Sequence, residues 1–219
     1  GGAGKTANEE ERKSMNRPMN YARATLENDY RISLQYMYPE NIDKQLPVMI
    51  FCSGWKGSMP PKETMLDSYE KDLDIVYVTF DYFATGASAG SWEDMTYGKW
   101  ARSIKHVYDY IRTLPIVDPK RIGLRGESSG TTAAFRFAIE YENPAFIIST
   151  ATAIGLYIGM PNPPPKKYVE AIMSDQNPEY ITVMKSDRMK KAFCEDFILN
   201  APIYNLPKVK CPVFFLQGG

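Results

Sequence analysis

One serine in this chain has both the type and the setting to do chemistry. Ser128 stands in Gly126-Glu127-Ser128-Ser129-Gly130, after the run Arg121-Ile-Gly-Leu-Arg125 and before Thr131-Thr-Ala-Ala-Phe-Arg-Phe-Ala-Ile139. Strand, sharp turn and helix in that order give G-x-S-x-G its meaning, because the turn lifts a hydroxyl above the sheet edge. A serine at such an apex sits in a strained backbone conformation. Side chains two residues either side are expected to collide with it, which accounts for Gly126 and Gly130. The N-terminus of the following helix favours negative charge on a bound acyl oxygen. The implied chemistry is nucleophilic attack on an acyl carbon; the plainer alternative is a Gly/Ser loop joining a strand to a helix. Glu127, inside the turn, is expected to be a carboxylate tied to local backbone or to an arginine, not a catalytic group.

A serine is a weak nucleophile without an adjacent base. The sequence holds a single histidine, His106. It lies about ten residues into a helix expected over Thr96–Leu114, roughly 15 Å down the axis at 1.5 Å per residue. It is also about 100° from Val107, off the apolar stripe. His106 is therefore expected to be a surface residue and not the base.

The elements that must position Ser128 follow from hydrophobic patterning. Val48-Met-Ile-Phe-Cys52 and Ile75-Val-Tyr-Val-Thr-Phe80 are near-continuous apolar runs, as in strands buried on both faces of a parallel sheet. Tyr30–Tyr38 alternates as a strand closed by Pro39, Asn41–Pro47 reads as a turn, and Leu66–Lys71 reads as helical. Trp100, Ile104, Val107, Tyr108, Ile111 and Leu114 form one stripe of the Thr96–Leu114 helix. Pro115 ends that helix, Val117–Lys120 turns into the strand before Ser128, and Ala145–Thr150 is a further strand. Alternating strands and helices imply an α/β fold, a mostly parallel sheet with helices on both faces.

The rhythm breaks at Pro161-Asn-Pro-Pro-Pro165, a stiff extended linker. About 40 residues after it read as two helices, Lys166–Ser174 and Pro178–Leu199, before a last strand at Pro212–Leu216. This gives a polar arm at 1–27, a core at 28–156, a helical lid insert at 157–206 and a penultimate core strand at 207–219. Two extra helices packed on the sheet fit the periodicity of the insert equally well.

Composition narrows the classes. Lys+Arg and Asp+Glu are 26 each, and apolar residues are 44% of the 219. Nothing in that balance points to nucleic acid or an anionic membrane as partner, and no apolar run approaches the ~20 residues of a membrane span. Cys52, Cys194 and Cys211 lack metal-ligand spacing and are expected to be reduced and buried. No metal or cofactor is expected. A cytoplasmic setting is favoured; secretion stays open because the chain starts at Gly1, and a homodimer is allowed. Gly1-Gly-Ala-Gly-Lys-Thr6 looks like the tail of a phosphate-binding loop, but the charged run Asn8-Glu-Glu-Glu-Arg-Lys13 follows where that pattern needs other context.

With these parts in order, residues 28–219 resemble the α/β hydrolases. Val48–Gly54 is similar to the strand and turn that supply one oxyanion donor, with Ser53 where the family usually has histidine. Asp81-Tyr-Phe-Ala-Thr-Gly-Ala-Ser-Ala-Gly90 is similar to a glycine-rich loop of many members. Tyr110–Gly130 resembles the dienelactone-hydrolase-like and small carboxylesterase branch. Ala201–Tyr204 with Cys211–Gly218 resembles the cinnamoyl/feruloyl esterase type. The resemblance implies a serine hydrolase acting on a small acyl or aryl ester. Ser128 would be the nucleophile, the backbone N–H groups of Ser129 and Trp55 the oxyanion donors, and Met173, Met184, Phe193 and Phe197 the walls of an acyl or aryl pocket. In that family the acid and the histidine follow the serine in chain order. Neither is found at the family's positions here, so the last strand, helix and two triad members are expected to be missing from these 219 residues. The alternatives are a non-catalytic binding protein with a vestigial elbow and a prolyl-oligopeptidase-like peptidase.

Overall fold

The computed structural model describes residues 18–68, 73–151, 169–170, 173–174, 179–183 and 187–216. In chain order the elements are β1 (Met19–Glu27), β2 (Arg31–Pro39), β3 (Leu46–Cys52), α1 (Lys62–Ser68), β4 (Val76–Phe80), α2 (Tyr97–Ile111), β5 (Val117–Glu127), α3 (Ser129–Glu140), β6 (Ile147–Thr150), β7 (Tyr180–Val183), β8 (Asp187–Lys190), α4 (Lys191–Leu199) and β9 (Val213–Leu216). Short 3-10 turns cover Trp92–Asp94 and Pro202–Lys208. Seven strands form one sheet in the order β1-β2-β4-β3-β5-β6-β9. The β1–β2 and β2–β4 pairs are antiparallel, and β4-β3-β5-β6-β9 run parallel.

Strand alternation divides the interior. Val48 and Ile50 of β3, Val76 and Val78 of β4, and Ile122 and Leu124 of β5 face α2 and α3, meeting Trp100, Ile104, Val107, Ala134 and Phe137. Met49, Phe51 and Tyr77 point the other way and join Met37 and Met65 in a smaller cluster on the face that carries α1. The apolar stripe expected on α2 is buried from Trp100 to Ile111, and Thr96 caps the helix by accepting the Lys99 N–H at 3.1 Å. The chain thus has the expected α/β architecture, a mostly parallel sheet with helices on both faces.

Several local expectations are corrected. The end of the supposed N-terminal arm is strand β1, paired with β2 along its whole length. Among the described residues β1 is an edge strand, with Arg23 and Thr25 exposed and Ala24 and Leu26 half-buried against the core. Val117–Lys120 belongs to β5 and not to a turn, and β3 starts at Leu46. The first helix starts at Lys62, four residues before the expected Leu66, and is described to Ser68, with 69–71 of the expected span outside the described residues. The largest correction is in the insert, where Pro178–Leu199 is no single helix. It contains the antiparallel hairpin β7–β8 followed by α4. Ile181, Val183 and Met189 are buried while Thr182 and Arg188 are exposed, a period of two that overrides the helical spacing. The linker at Pro161–Pro165 and the glycine- and charge-rich start at 1–17 lie outside the described residues, as does most of the helix expected at Lys166–Ser174. Cys52 and Cys194 are buried, whereas Cys211 is only half-buried because it lies on the approach to the edge strand β9; all three are free.

Candidate active site

Strand β5 delivers the chain to Ser128, which adopts φ 50° and ψ −123°, and α3 begins at the next residue. For a residue with a Cβ this left-handed φ is uncommon and costs energy. Backbone bonds hold it: the Ser128 N–H donates to Thr150 O at 2.9 Å, and Ser128 O accepts the Thr131 N–H at 3.0 Å. The flanking glycines are required, though not for the reason the sequence suggests. A Cβ on Gly130 would lie 2.1 Å from Cys52 O and 2.4 Å from Ser53 O, and one on Gly126 would lie 2.5 Å from Thr131 Cα. The collisions are with the end of β3 and the first turn of α3, not with Ser128.

The turn after β3 abuts the serine from the other side. A Cβ added to Gly54 would be 3.3 Å from Ser128 Cβ and 4.0 Å from its Oγ. Gly57 N–H closes the turn onto Gly54 O at 2.9 Å, and Lys56 within it has φ 58°. Ser128, Gly54 and Trp55 line one cleft of about 520 Å³ with Phe51, Tyr77, Arg125 and Glu127. The Arg125 guanidinium lies over the Phe51 ring, 5.6 Å from its centroid. Glu127 is exposed at the rim of the cleft and makes no ion pair among the described residues, so the expected tie to an arginine is absent. Ser129 starts α3, where the first N–H groups have no partner inside the helix. The hydroxyls of Ser53, Ser129, Thr131 and Thr150 are buried at the elbow without a hydrogen-bond partner.

Behind the turn, Asp81 is 2% exposed and accepts the N–H groups of Met59 at 2.6 Å and Ala87 at 2.8 Å. It joins the Ser53–Ser58 turn to the glycine-rich loop after β4. Gly86, with φ 49°, is the residue that lets the loop close over this carboxylate, since a Cβ there would lie 2.2 Å from Asp81 Oδ2.

The other sequence-derived candidates are placed differently. Phe193 is 2% exposed and packs edge-on against Trp55 at 5.7 Å, and it stacks with Phe197 at 6.0 Å. Neither phenylalanine lines the cleft at Ser128. Met173 is 78% exposed, and Met184 lies outside the described residues. His106 is not a surface residue: its imidazole is 13% exposed, with Nδ1 2.8 Å from Asn28 Nδ2 and Nε2 3.6 Å from Asp29 Oδ2. Burial holds its pKa below the ordinary value, with Asp29 pulling the other way. It sits by the β1–β2 turn, and three strands of the sheet lie between β1 and β5. At ~4.8 Å per strand that is roughly 19 Å from the strand bearing Ser128. The residue that sequence reasoning missed is Asp187. Its carboxylate accepts the Trp55 indole N–H at 2.8 Å and pairs with Lys56. It lay in a stretch read as helix, and no local signal marked it.

No family model matches the sequence. Over 182 residues the chain is 28% identical to the mitochondrial palmitoyl-protein thioesterase ABHD10 of Bos taurus, taking in 78% of this chain and 56% of that protein. The chain thus spans about half the length of the curated relatives it matches. Among solved structures, Est1E from Butyrivibrio proteoclasticus superposes with a TM-score of 0.66 at 17% identity, over 90% of this chain and 77% of that one. Alpha/beta hydrolase domain-containing protein 10 from mouse superposes with a TM-score of 0.59 at 22% identity, over 90% and 77%. Strand order and these likenesses define the class of architecture: the chain has the α/β-hydrolase fold.

Proposed function

We propose that this chain carries the nucleophile and oxyanion site of a serine hydrolase that cleaves a small acyl or aryl ester through an acyl-enzyme. The observation that carries the reading is the strained Ser128 at the β5–α3 junction, open to a cleft and abutted by the Gly54–Gly57 turn. Ser128 Oγ attacks the acyl carbon while its proton passes to a base. The carbonyl oxygen takes the charge and is held by the N–H groups of Ser129 and Trp55. Collapse of this intermediate expels the alcohol, and water then releases the acid by the same route. Each such donor typically contributes a factor of about 10²–10³ in rate.

The base and its acid partner come from sequence outside the described residues. The bovine relative is named a thioesterase, and Est1E is known with ferulic acid bound. An oxygen ester and a thioester present the same acyl carbon, so both belong in the assay. In the full natural chain, a fluorophosphonate should label Ser128, and Ser128→Ala should abolish labelling and lower ester and thioester turnover by at least ~10³-fold. Labelling and turnover that survive Ser128→Ala would refute the assignment and leave a binding protein as the reading.

A further inference from the structure

Resting on that hydrolase reading, we propose that Asp187, on the β7–β8 hairpin of the insert, is a positioning residue for the turn that presents the Trp55 N–H to the oxyanion. The turn needs an external hold. Lys56 stands in the left-handed region without being glycine, a conformation that persists only where the surroundings over-determine it. A single carboxylate engages the side chains on both sides of the 55–56 peptide: Oδ2 accepts the Trp55 indole N–H at 2.8 Å, and Oδ1 pairs with Lys56 Nζ. The Asp187 side chain is 12% exposed, so its charge-assisted bond to the indole is shielded, while the Lys56 partner, 52% exposed, is partly screened by solvent. Burial raises the carboxyl's pKa, but the Lys56 and Trp55 bonds outweigh it and hold Asp187 below its ordinary value.

The holder is itself fixed. Asp187 pairs with Val183 across the hairpin, and Lys190 at its other end meets Asp94 at 2.6 Å. The Trp55 ring is boxed by Trp92 at 5.0 Å and Phe193 at 5.7 Å, so its indole cannot turn away while Asp187 accepts. Because Gly54 lies so near Ser128 that an added Cβ would come within 3.3 Å of the serine Cβ, any slackening of this turn moves the Trp55 N–H relative to the acyl carbon. The insert thereby acts on the chemistry through a carboxylate 132 residues from the indole it holds. A loss of such alignment affects the charged transition state more than the bound ester.

The test uses the full natural chain, with active sites counted by fluorophosphonate titration. Asp187→Ala should lower kcat per titrated site about 10- to 100-fold for p-nitrophenyl acetate, with KM within about twofold. Asp187→Asn keeps an acceptor for the indole and loses the Lys56 pair, so a fall of about three- to tenfold is expected. It also keeps the question answerable should the alanine variant not fold. Trp55→Phe, which removes the indole N–H and leaves the backbone donor, should lower kcat too. In combination with Asp187→Ala it should add little, since both act through one contact. A kcat per site unchanged in Asp187→Asn and Asp187→Ala, with only the melting temperature lowered, overturns the positioning role and leaves a structural clamp. An unlabelled Ser128 in the parent instead overturns the hydrolase reading, and this role with it.

Discussion

The elbow at Ser128 and the insert from Tyr180 to Leu199 are held in place by different parts of the chain. At the elbow the holding groups are backbone: the Ser128 N–H on Thr150 O, the Thr131 N–H on Ser128 O, and carbonyls of Cys52 and Ser53 packed where Gly130 has no side chain. In the insert they are side chains from distant elements. Asp187 binds Trp55 and Lys56, Lys190 binds Asp94, and Asp196 takes a fork of bonds from Arg136 at 3.1 and 3.2 Å and one from Gly98 N–H at 3.2 Å. Arg136 is on the elbow helix and only 4% exposed. The insert is therefore bolted to α3 and to the Gly54–Gly57 turn at separate points. A backbone-held geometry tolerates almost no added atom, whereas a side-chain-held one is sensitive to the loss of a partner.

The insert gives the largest expected effect. If α4 is part of the core, Phe193→Ala should cost about 3–5 kcal/mol, the usual range for emptying a buried aromatic site. Urea unfolding would read it, and the preference between acetate and bulky aryl esters should stay the same. A changed ester preference with stability nearly intact would return Phe193 to the substrate pocket and break the comparison. The elbow should respond more modestly in stability and more sharply in chemistry. Gly130→Ala places a methyl against two carbonyls that cannot move independently, costing roughly 1–3 kcal/mol. Because the displaced atoms lie between β3 and α3, fluorophosphonate labelling of Ser128 should fall at least tenfold in protein that is still folded. Labelling at the parent rate would mean the turn has slack that the geometry denies.

The same division explains what could be read from sequence. The elbow was legible because its requirements sit within ten residues: an apolar run, two glycines about a serine, and a helix. The parallel strands were legible because burial on both faces leaves continuous apolar runs such as Val76–Phe80. The hairpin was not legible. Ile181, Val183 and Met189 are too few to separate a period of two from one of 3.6, and they are buried in a core built mostly from elements far earlier in the chain. Asp187 could not be singled out for the same reason. Edge strand β1 was hidden because its residues are only half-buried or exposed, which leaves no continuous apolar run. Phe193 was marked as apolar, but nothing local says whether an apolar residue on an insert faces a ligand or the core.

The smallest expected effect concerns a region that belongs to neither side of the comparison. His106 is far from Ser128, so His106→Gln should leave ester turnover within about threefold; a loss above ~100-fold would place it in the chemistry after all. Its signature should appear in stability against pH. Asn28, Asp29, Arg102, Lys105, Asp109 and the edge of the Tyr30 ring surround the imidazole. Desolvation is the largest influence and keeps its pKa below the ordinary 6.5, with Asp29 opposing and Arg102 reinforcing. A histidine whose folded pKa is depressed binds fewer protons folded than unfolded between the two values, so stability rises with pH across that window. The parent should be level above about pH 6.5, lose stability as pH falls below it, and stop losing it on this account once the folded pKa is passed. Glutamine keeps a neutral polar group in place and removes the titration. Denaturant midpoints of parent and variant at pH 7.5 and 5 should therefore show a shallower fall in the variant. Equal slopes would mean that the imidazole is as well solvated folded as unfolded, contrary to its burial against Tyr30 and Asn28.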